Sequence, residues 1–379
     1  MNVLVVNVGS TTLKYACIDT QRRERLTEGL IDRIGQDGGD APDHMTAVQD
    51  ALQKHADIEF TAIGHRVVQG GDRFTEPTRV TDQVRSDMVE LDPLAPLHNP
   101  PARRVIDHIA TTSASIPQVL VFDTAYFSTL PPVAYRYAVP DSVYVDHGVR
   151  KYGMHGTSHQ YVTGLALDHL AAQGIDRTSA KVITLHLGGG ASATASIGGR
   201  AIDTSMGLTP LEGLVMATRC GDIDPSVPIY LMRTAGWTVD QVERVLIKES
   251  GLLGLCGQAD MRRALEAATD DDESAKLAID IYVRRLHKYV GSYFAVLGGL
   301  DALVFTAGIG ENSAEIRRRV VEPLHHLGLR MDLPVNAWAK PDVQTIDLSS
   351  DDATVRTLVV PTDEEWAIAR QTADLIDGR

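Results

Sequence analysis

The chain has 379 residues, 44% of them apolar and 23% charged, which gives room for two domains and excludes global disorder. A net charge of −14 argues against nucleic acid and anionic membranes as partners, because both attract basic surfaces, and it obliges any anion site to gather its cations locally. Three cysteines, Cys17, Cys220 and Cys256, lie far apart with no CxxC pair; this fits a reducing cytoplasm, and no stretch reads as a signal peptide or a membrane span.

In chain order, residues 3–6 read as a buried strand and 13–18 as a second, joined by the small-residue turn Asn7 to Thr12 into a hairpin that carries Lys14. Residues 62–68 form an apolar strand that contains Arg66 and runs into Gly70-Gly71. A strand arginine is costly to bury without a partner, so it pairs with an internal carboxylate or with a bound anion. Residues 119–122 form another apolar strand, ending at Asp123, a place for a site acid or a helix cap. Residues 182–185 run into His186, Leu187, Gly188, Gly189 and Gly190. A constant offset of 179 sets Asn7 on His186, Gly9 on Gly188 and Ile18 on Ile197, which suggests two related domains with one glycine-rich hairpin each. Residues 275–297 read as a long helix with Leu277, Ile281, Leu286, Tyr289 and Tyr293 on one face, preceded by a solvated acidic run at 270–273. The strand at 302–305 runs into a loop, Thr306 to Ser313, and then a helix bearing Ile316, Val320 and Leu324, capped by Asn312 or Ser313. A last helix begins near Glu364. Strands alternating with helices indicate an α/β protein, hinged near 144–153.

The phosphate motifs narrow the chemistry. No Gly-Lys pair occurs, which excludes a P-loop, and His65-Arg66 is followed by Val67 rather than the aspartate of a protein kinase. Gly308-Ile309-Gly310 lacks the third glycine of a dinucleotide fingerprint. What remains is three small-residue loops after strands, whose backbone N–H groups can take phosphate oxygens. Arg219 sits in a turn-rich segment beside Asp222 and Asp224, either paired with Asp222 or free to take an anion. His155 and His159 stand four apart, but Gly156 follows the first where a zinc protease needs Glu. A histidine among glycines and hydroxyls suits an anion or a migrating phosphoryl group better.

Together these segments resemble the acetate kinase family. The matching stretches run almost end to end: NVGSTTLKY from Asn7, GHRVVQGG from Gly64, PLHNPP from Pro96, VFDTAY from Val121, YGMHGTSH from Tyr152, HLGGGAS from His186, TPLEGL from Thr209, TRCGDIDP from Thr218, FTAGIGENS from Phe305 and PTDEE from Pro361. The resemblance implies a duplicated ribonuclease-H-like, actin-like ATPase fold of α/β class with the active site in the interdomain cleft. The expected domains are 1–148 with 364–379, and 149–363. It implies reversible phosphoryl transfer between ATP and acetate, giving acetyl phosphate and ADP, with Mg²⁺ (or Mn²⁺) bound. Asn7 and Glu364 are then the metal-site residues. Lys14, His186, Leu187, Gly188, Gly189, Gly190, Asp260, Met261, Arg262, Gly308, Ile309, Gly310, Glu311 and Asn312 are the nucleotide positions. Arg66 and Arg219 hold acetate and the migrating group, His155 stabilises the transition state, and Asp123 is the essential acid. Val68, Leu97 and Pro210 form the methyl pocket. A cytoplasmic homodimer is expected.

This chain departs from the family's usual residues at Gly189 (usually Asn), Phe127 (often His), Ala217 (often Gly) and Asp363 (often Asn). The Gly189 change removes a side-chain contact to the nucleotide phosphates and puts donor choice in question. The rival readings are a propionate or butyrate kinase, which one apolar pocket separates only weakly, a sugar kinase, and an actin-like ATPase without an acyl substrate.

Overall fold

The computed structural model describes residues 1–55, 57–341 and 344–378; Arg379, the last residue of the expected first domain, lies outside them. The chain forms two compact units. One comprises residues 1–128, 154–158 and 363–379, and the other residues 129–153 and 159–362. The segment 129–148, expected with the first domain, sits in the second unit.

The first unit is built on a six-stranded mixed sheet. Its strands are β1 (Asn2–Val8), β2 (Leu13–Asp19), β3 (Glu24–Ile31), β4 (Ala62–Val67), β5 (Thr78–Arg79) and β6 (Gln118–Phe122), in the order β3-β2-β1-β4-β6-β5. β1, β4 and β6 run parallel, and β1–β2–β3 form an antiparallel meander. Both faces are apolar, as a parallel core between helices requires. Leu4, Val6, Leu13 and Ile63 pack with Ala47, Val48, Val105 and Ile109 of the helices His44–Lys54 and Asn99–Thr112. Val3, Val5, Ala16, Ala62, Val119 and Val121 pack against Ile368, Ala369 and Ala373 of the terminal helix Glu364–Asp377.

The second unit repeats this plan. Its strands are β7 (Lys181–Leu187), β8 (Ala191–Ile197), β9 (Arg200–Thr204), β10 (Ala302–Thr306), β11 (Ile346–Asp347) and β12 (Arg356–Val359). Their order, β9-β8-β7-β10-β12-β11, mirrors the first sheet strand for strand. The registers match as well: Asn7 pairs with Arg66 across β1–β4, and His186 with Thr306 across β7–β10. Each meander even carries its register shift at the same place, between Cys17 and Ile18 and between Ala195 and Ser196.

The repeat corrects one alignment. Val8 pairs with Leu13 but Leu187 with Ala191, so the second turn is shorter by one residue. Beyond the turn Ile18 therefore corresponds to Ser196, not to Ile197. Two element readings also change. Thr306 to Ser313 is not a loop: a helix, Ala307–Asn312, leaves β10 directly, and Ser313 caps the next, Ala314–Val321, by accepting from Ile316 N. In the long helix Glu273–Leu297 the buried stripe is Ala275, Ala278, Ile279, Tyr282, Val283, Leu286, Val290, Tyr293 and Leu297, while Leu277 is exposed.

Candidate active site

Strand alternation gathers the first-unit residues. Successive side chains on a strand point to opposite faces, so Asn7 shares a face with Val3 and Val5, Arg66 with Ala62 and Gly64, and Lys14 with Ala16 and Ile18. All three strands show that face to the terminal helix. Lys14, Asn7 and Arg66 are register neighbours across β2, β1 and β4, and Asp123 follows β6 directly. They stand at the C-terminal ends of the parallel strands, where open α/β sheets bind ligands.

The approach of the terminal helix depends on Gly64. A Cβ there would lie 2.4 Å from Thr372 Oγ1 and 2.9 Å from Ile368 Cγ2. With only hydrogen at Gly64, the helix sits low on β4 and its first residue, Glu364, reaches Arg66. The guanidinium donates from Nε (3.2 Å) and Nη2 (2.5 Å) to the two oxygens of Asp123 and from Nη1 to Asn7 Oδ1 (3.2 Å). Its Nε is 3.6 Å from Glu364 Oε2. Asp123 is fully buried and also accepts from Thr157 Oγ1 (3.2 Å). Thus Arg66 has the internal carboxylate partner that its apolar strand demands. Burial pushes the Glu364 carboxyl up, Arg66 opposes this, and Asp123 adds to it.

His155 belongs to this unit and holds a left-handed backbone, φ +60°. Such strain in a residue with a side chain costs energy and collects at functional sites. Gly156 N donates to Asp123 O at 3.0 Å, which ties the histidine's segment to the end of β6. His159, by contrast, is buried, with Nδ1 2.6 Å from Thr184 Oγ1 and Nε2 2.7 Å from Ser192 Oγ, a satisfied core histidine of the second unit.

Of the expected methyl-pocket residues, Val68 is half-buried, Leu97 is 50% exposed, and Pro210 supplies a carbonyl to Arg219. Phe127, where the family often has His, is a buried core side chain.

In the second unit a cavity of about 820 Å³ is lined by Gly188, Gly189, Asp260, Met261, Arg262, Gly308, Ile309 and Asn312, together with Ala259, Leu265, Ser313, Ala314 and Glu315. Its volume suits a nucleotide-sized ligand. A Cβ at Gly189 would meet nothing within 4 Å. His186, Leu187, Gly190, Gly310 and Glu311 do not line it. His186 and Leu187 are buried in β7. Glu311 instead serves the backbone. Its Oε1 accepts from Ala307 N at 2.8 Å and Thr362 N at 3.0 Å, fixing the turn where the cavity-wall helix leaves β10. Arg262 is caught by Asp260, Nη2 to Oδ2 at 2.6 Å and Nε to Oδ1 at 3.1 Å.

Arg219 is the unusual cation. Its Nη1 donates to Pro210 O at 2.7 Å, and among the described residues no carboxylate forms an ion pair with it. Burial pulls its pKa down. The expected alternative, a pair with Asp222, is not formed. Asp222 instead accepts from Gly213 N (2.8 Å) and Tyr289 OH (2.9 Å) and lies 3.4 Å from Arg285 Nη1.

Sequence reasoning missed Thr157 and the structural role of Glu311. A hydroxyl two residues after a strained histidine is a weak signal. A glutamate that serves backbone amides leaves none.

Two α/β units on one duplicated sheet order, with matching register and bulge, define the actin-like ATPase class of two-domain kinases. The acetokinase family matches residues 2–370, and the chain belongs to that family. It is 47% identical to an acetate kinase of Micrococcus luteus over all of both chains. It is 43% identical to that of Methanosarcina thermophila, over 100% of this chain and 97% of the other. A crystal structure of Porphyromonas gingivalis acetate kinase superposes with a TM-score of 0.92 at 38% identity, covering 99% of each chain. A propionate kinase from Francisella tularensis gives 0.90 at 39% identity, covering 98% of this chain and 99% of the other. The family is one of phosphotransferases with a carboxylate acceptor and ATP or ADP as co-substrate.

Proposed function

We propose that the chain moves a phosphoryl group reversibly between ATP and acetate, giving acetyl phosphate and ADP. The observation that carries this reading is Arg219, a largely desolvated guanidinium without a carboxylate partner. Such a charge is costly unless an anion completes it, and a small carboxylate or a transferring phosphoryl group supplies one. Arg66 differs, because Asp123 already neutralises it; we assign Asp123, assisted by Thr157, to orienting that guanidinium rather than to removing a proton. A carboxylate acceptor needs no general base, being ionised near pH 7. Its oxygen attacks the γ-phosphorus in line, the bond to the ADP oxygen breaks, and charge spreads over the transferring oxygens. Arg219, Arg66, Lys14 and the His155 ring are the donors for that charge. The second-unit cavity takes ATP, with the backbone N–H groups of 188–190 toward its phosphates. Val68, Leu97 and Pro210 are assigned to the acetate methyl.

Asn7 and Glu364 offer the hard oxygen donors that Mg²⁺ prefers, and Mn²⁺ accepts the same set. Magnesium is usually held by one or two carboxylates plus water and substrate phosphates. When bound, the ion would neutralise phosphate charge. A cytoplasmic homodimer belongs to the same reading. Exposed Val227, Ile229, Tyr230 and Met232 on the helix Ser226–Thr234 suit an interface between copies, which sedimentation would test.

The propionate kinase, only slightly less similar in structure than the acetate kinase, gives one specific second reading: a longer acyl chain. One methylene is worth about 1–3 kcal/mol in an apolar pocket. Hydroxylamine trapping of acyl phosphate from Mg-ATP with acetate, propionate, butyrate and a sugar panel decides between them. The highest kcat/KM is expected for acetate. A preference for propionate would move the reading to that substrate, and phosphorylation of sugars alone would overturn it.

A further inference from the structure

Arg219 does not hold its own position. Its guanidinium reaches Pro210 O, and its carbonyl accepts from Met216 N at 3.1 Å. The chain that carries these groups is pinched into a loop at Gly213 and Asp222. Asp222 N donates to Gly213 O at 3.0 Å, and Gly213 N donates to Asp222 Oδ1 at 2.8 Å. The pinch needs glycine at Gly221, which has φ +68° and where a Cβ would lie 2.5 Å from Gly213 O.

Two side chains from a single face of the helix Glu273–Leu297 clamp that pinch. Arg285 donates from Nη1 to Gly213 O at 2.6 Å and from Nη2 to Asp222 O at 2.9 Å, so one planar guanidinium spans both sides. Tyr289, one turn later, donates to Asp222 Oδ2 at 2.9 Å. We infer that Arg285, supported by Tyr289, is the positioning residue for Arg219. It sets the loop whose two ends, Pro210 and Arg219, are joined by the guanidinium-to-carbonyl bond. Arg285 touches no reacting atom in this account. It acts by fixing where the Arg219 charge is presented, and a displacement of about 1 Å is enough to cost catalysis on the order of 10²-fold. A lysine cannot replace it fully, because an ammonium does not reproduce the two-pronged planar donor. The inference rests on the role proposed above for Arg219.

The test is steady-state kinetics on the full chain with acetate and ATP varied, alongside ATP binding and thermal unfolding. In Arg285→Gln, acetate kcat/KM is expected to fall at least about 30-fold. The Kd for ATP should stay within about twofold, because the residues lining the cavity are elsewhere in the unit. Arg285→Lys should recover part of the loss. Combined with Arg219→Lys, the two losses should fall well short of their product, since both act through one guanidinium. Acetate kcat/KM within about threefold of wild type, an equal loss of ATP affinity, or full multiplication of the two losses would overturn the inference. Should Arg285→Gln not fold, Tyr289→Phe carries the test, with a loss of about 3- to 10-fold on acetate kcat/KM alone; no loss there counts against the inference. An active Arg219→Ala chain would sink the underlying reading. An inactive Arg219→Ala chain beside a fully active Arg285→Gln chain sinks this inference alone.

Discussion

The two site arginines look alike in sequence, each beside apolar residues and turns, yet their surroundings differ in kind. Arg66 is saturated by Asp123, Asn7 and Glu364; Arg219 has a carbonyl. Removing either side of the first set leaves a buried charge. Asp123→Ala is expected to destabilise the fold by about 3–5 kcal/mol as well as stop turnover, read by denaturant unfolding; an unchanged midpoint would show that Arg66 does not depend on Asp123. Arg219→Ala leaves no carboxylate unpaired, so its fold should survive while turnover falls by about 10³-fold or more. Near wild-type turnover would remove Arg219 from the mechanism. Both arginines and Asp123 were legible as chemistry-bearing residues: Arg66 is a charge inside an apolar strand, Asp123 an acid at the end of one, and Arg219 a cation in a turn-rich segment. Which partner each took was not, since Asp123 lies 57 residues from Arg66 and is brought to it only by the β4–β6 pairing. Asp222 looked like the natural partner of Arg219, but the Gly213 amide and Tyr289 use its oxygens.

At the scale of elements, β4 does two jobs with opposite faces. Its inward Gly64 admits the terminal helix. Gly64→Ala forces a Cβ onto Thr372 Oγ1, a buried hydroxyl without a hydrogen-bond partner. The variant should lose thermal stability and activity together, and Thr372→Ala in the same chain should restore part of both. A double variant no better than the single would rule out this contact as the cause. The opposite face carries His65, buried, with Nε2 2.7 Å from Gln118 Oε1. Burial pulls its pKa from 6.5 down to about 4. The unfolded chain therefore binds the extra proton between those values. Stability is fully present above the unfolded pKa and falls as pH drops through the window, by ~3 kcal/mol at most. In His65→Gln the dependence of the thermal midpoint on pH should flatten between pH 6.5 and 4; an unaltered slope would assign it to other groups. The central strands β1, β2, β4, β6, β7, β8 and β10 were readable from apolar runs and the hairpin repeat; β3, β5, β9, β11 and β12, shorter or more polar, were not. The helix Ala307–Asn312 was not, because its two glycines and short length resemble a loop; Glu311, holding the Ala307 and Thr362 amides, stabilises a turn that propensity alone does not favour.

For the whole molecule, the repeat was visible in one hairpin and proved to extend through two complete sheets. The first strands of the hairpins kept the offset of 179 because each sits at the centre of a sheet, where register is fixed on both sides. The turn between strands is free to lose a residue, and there the alignment slipped. Strand order could not be read from the chain, since β3 to β4 and β9 to β10 are joined through insertions of very different length, residues 32–61 and 205–301. The duplicated frame sets related positions side by side with different side chains: Asn7 and Arg66 on the first sheet correspond to His186 and Thr306 on the second. The claim that unites these features is direct transfer from ATP to a carboxylate. Phosphorus NMR of the full chain with Mg-ATP and acetate tests it most directly. Acetyl phosphate and ADP should appear in equal amounts, and only when acetate is present. ATP consumed to inorganic phosphate without acetyl phosphate, or left unconsumed by folded protein, would contradict the account.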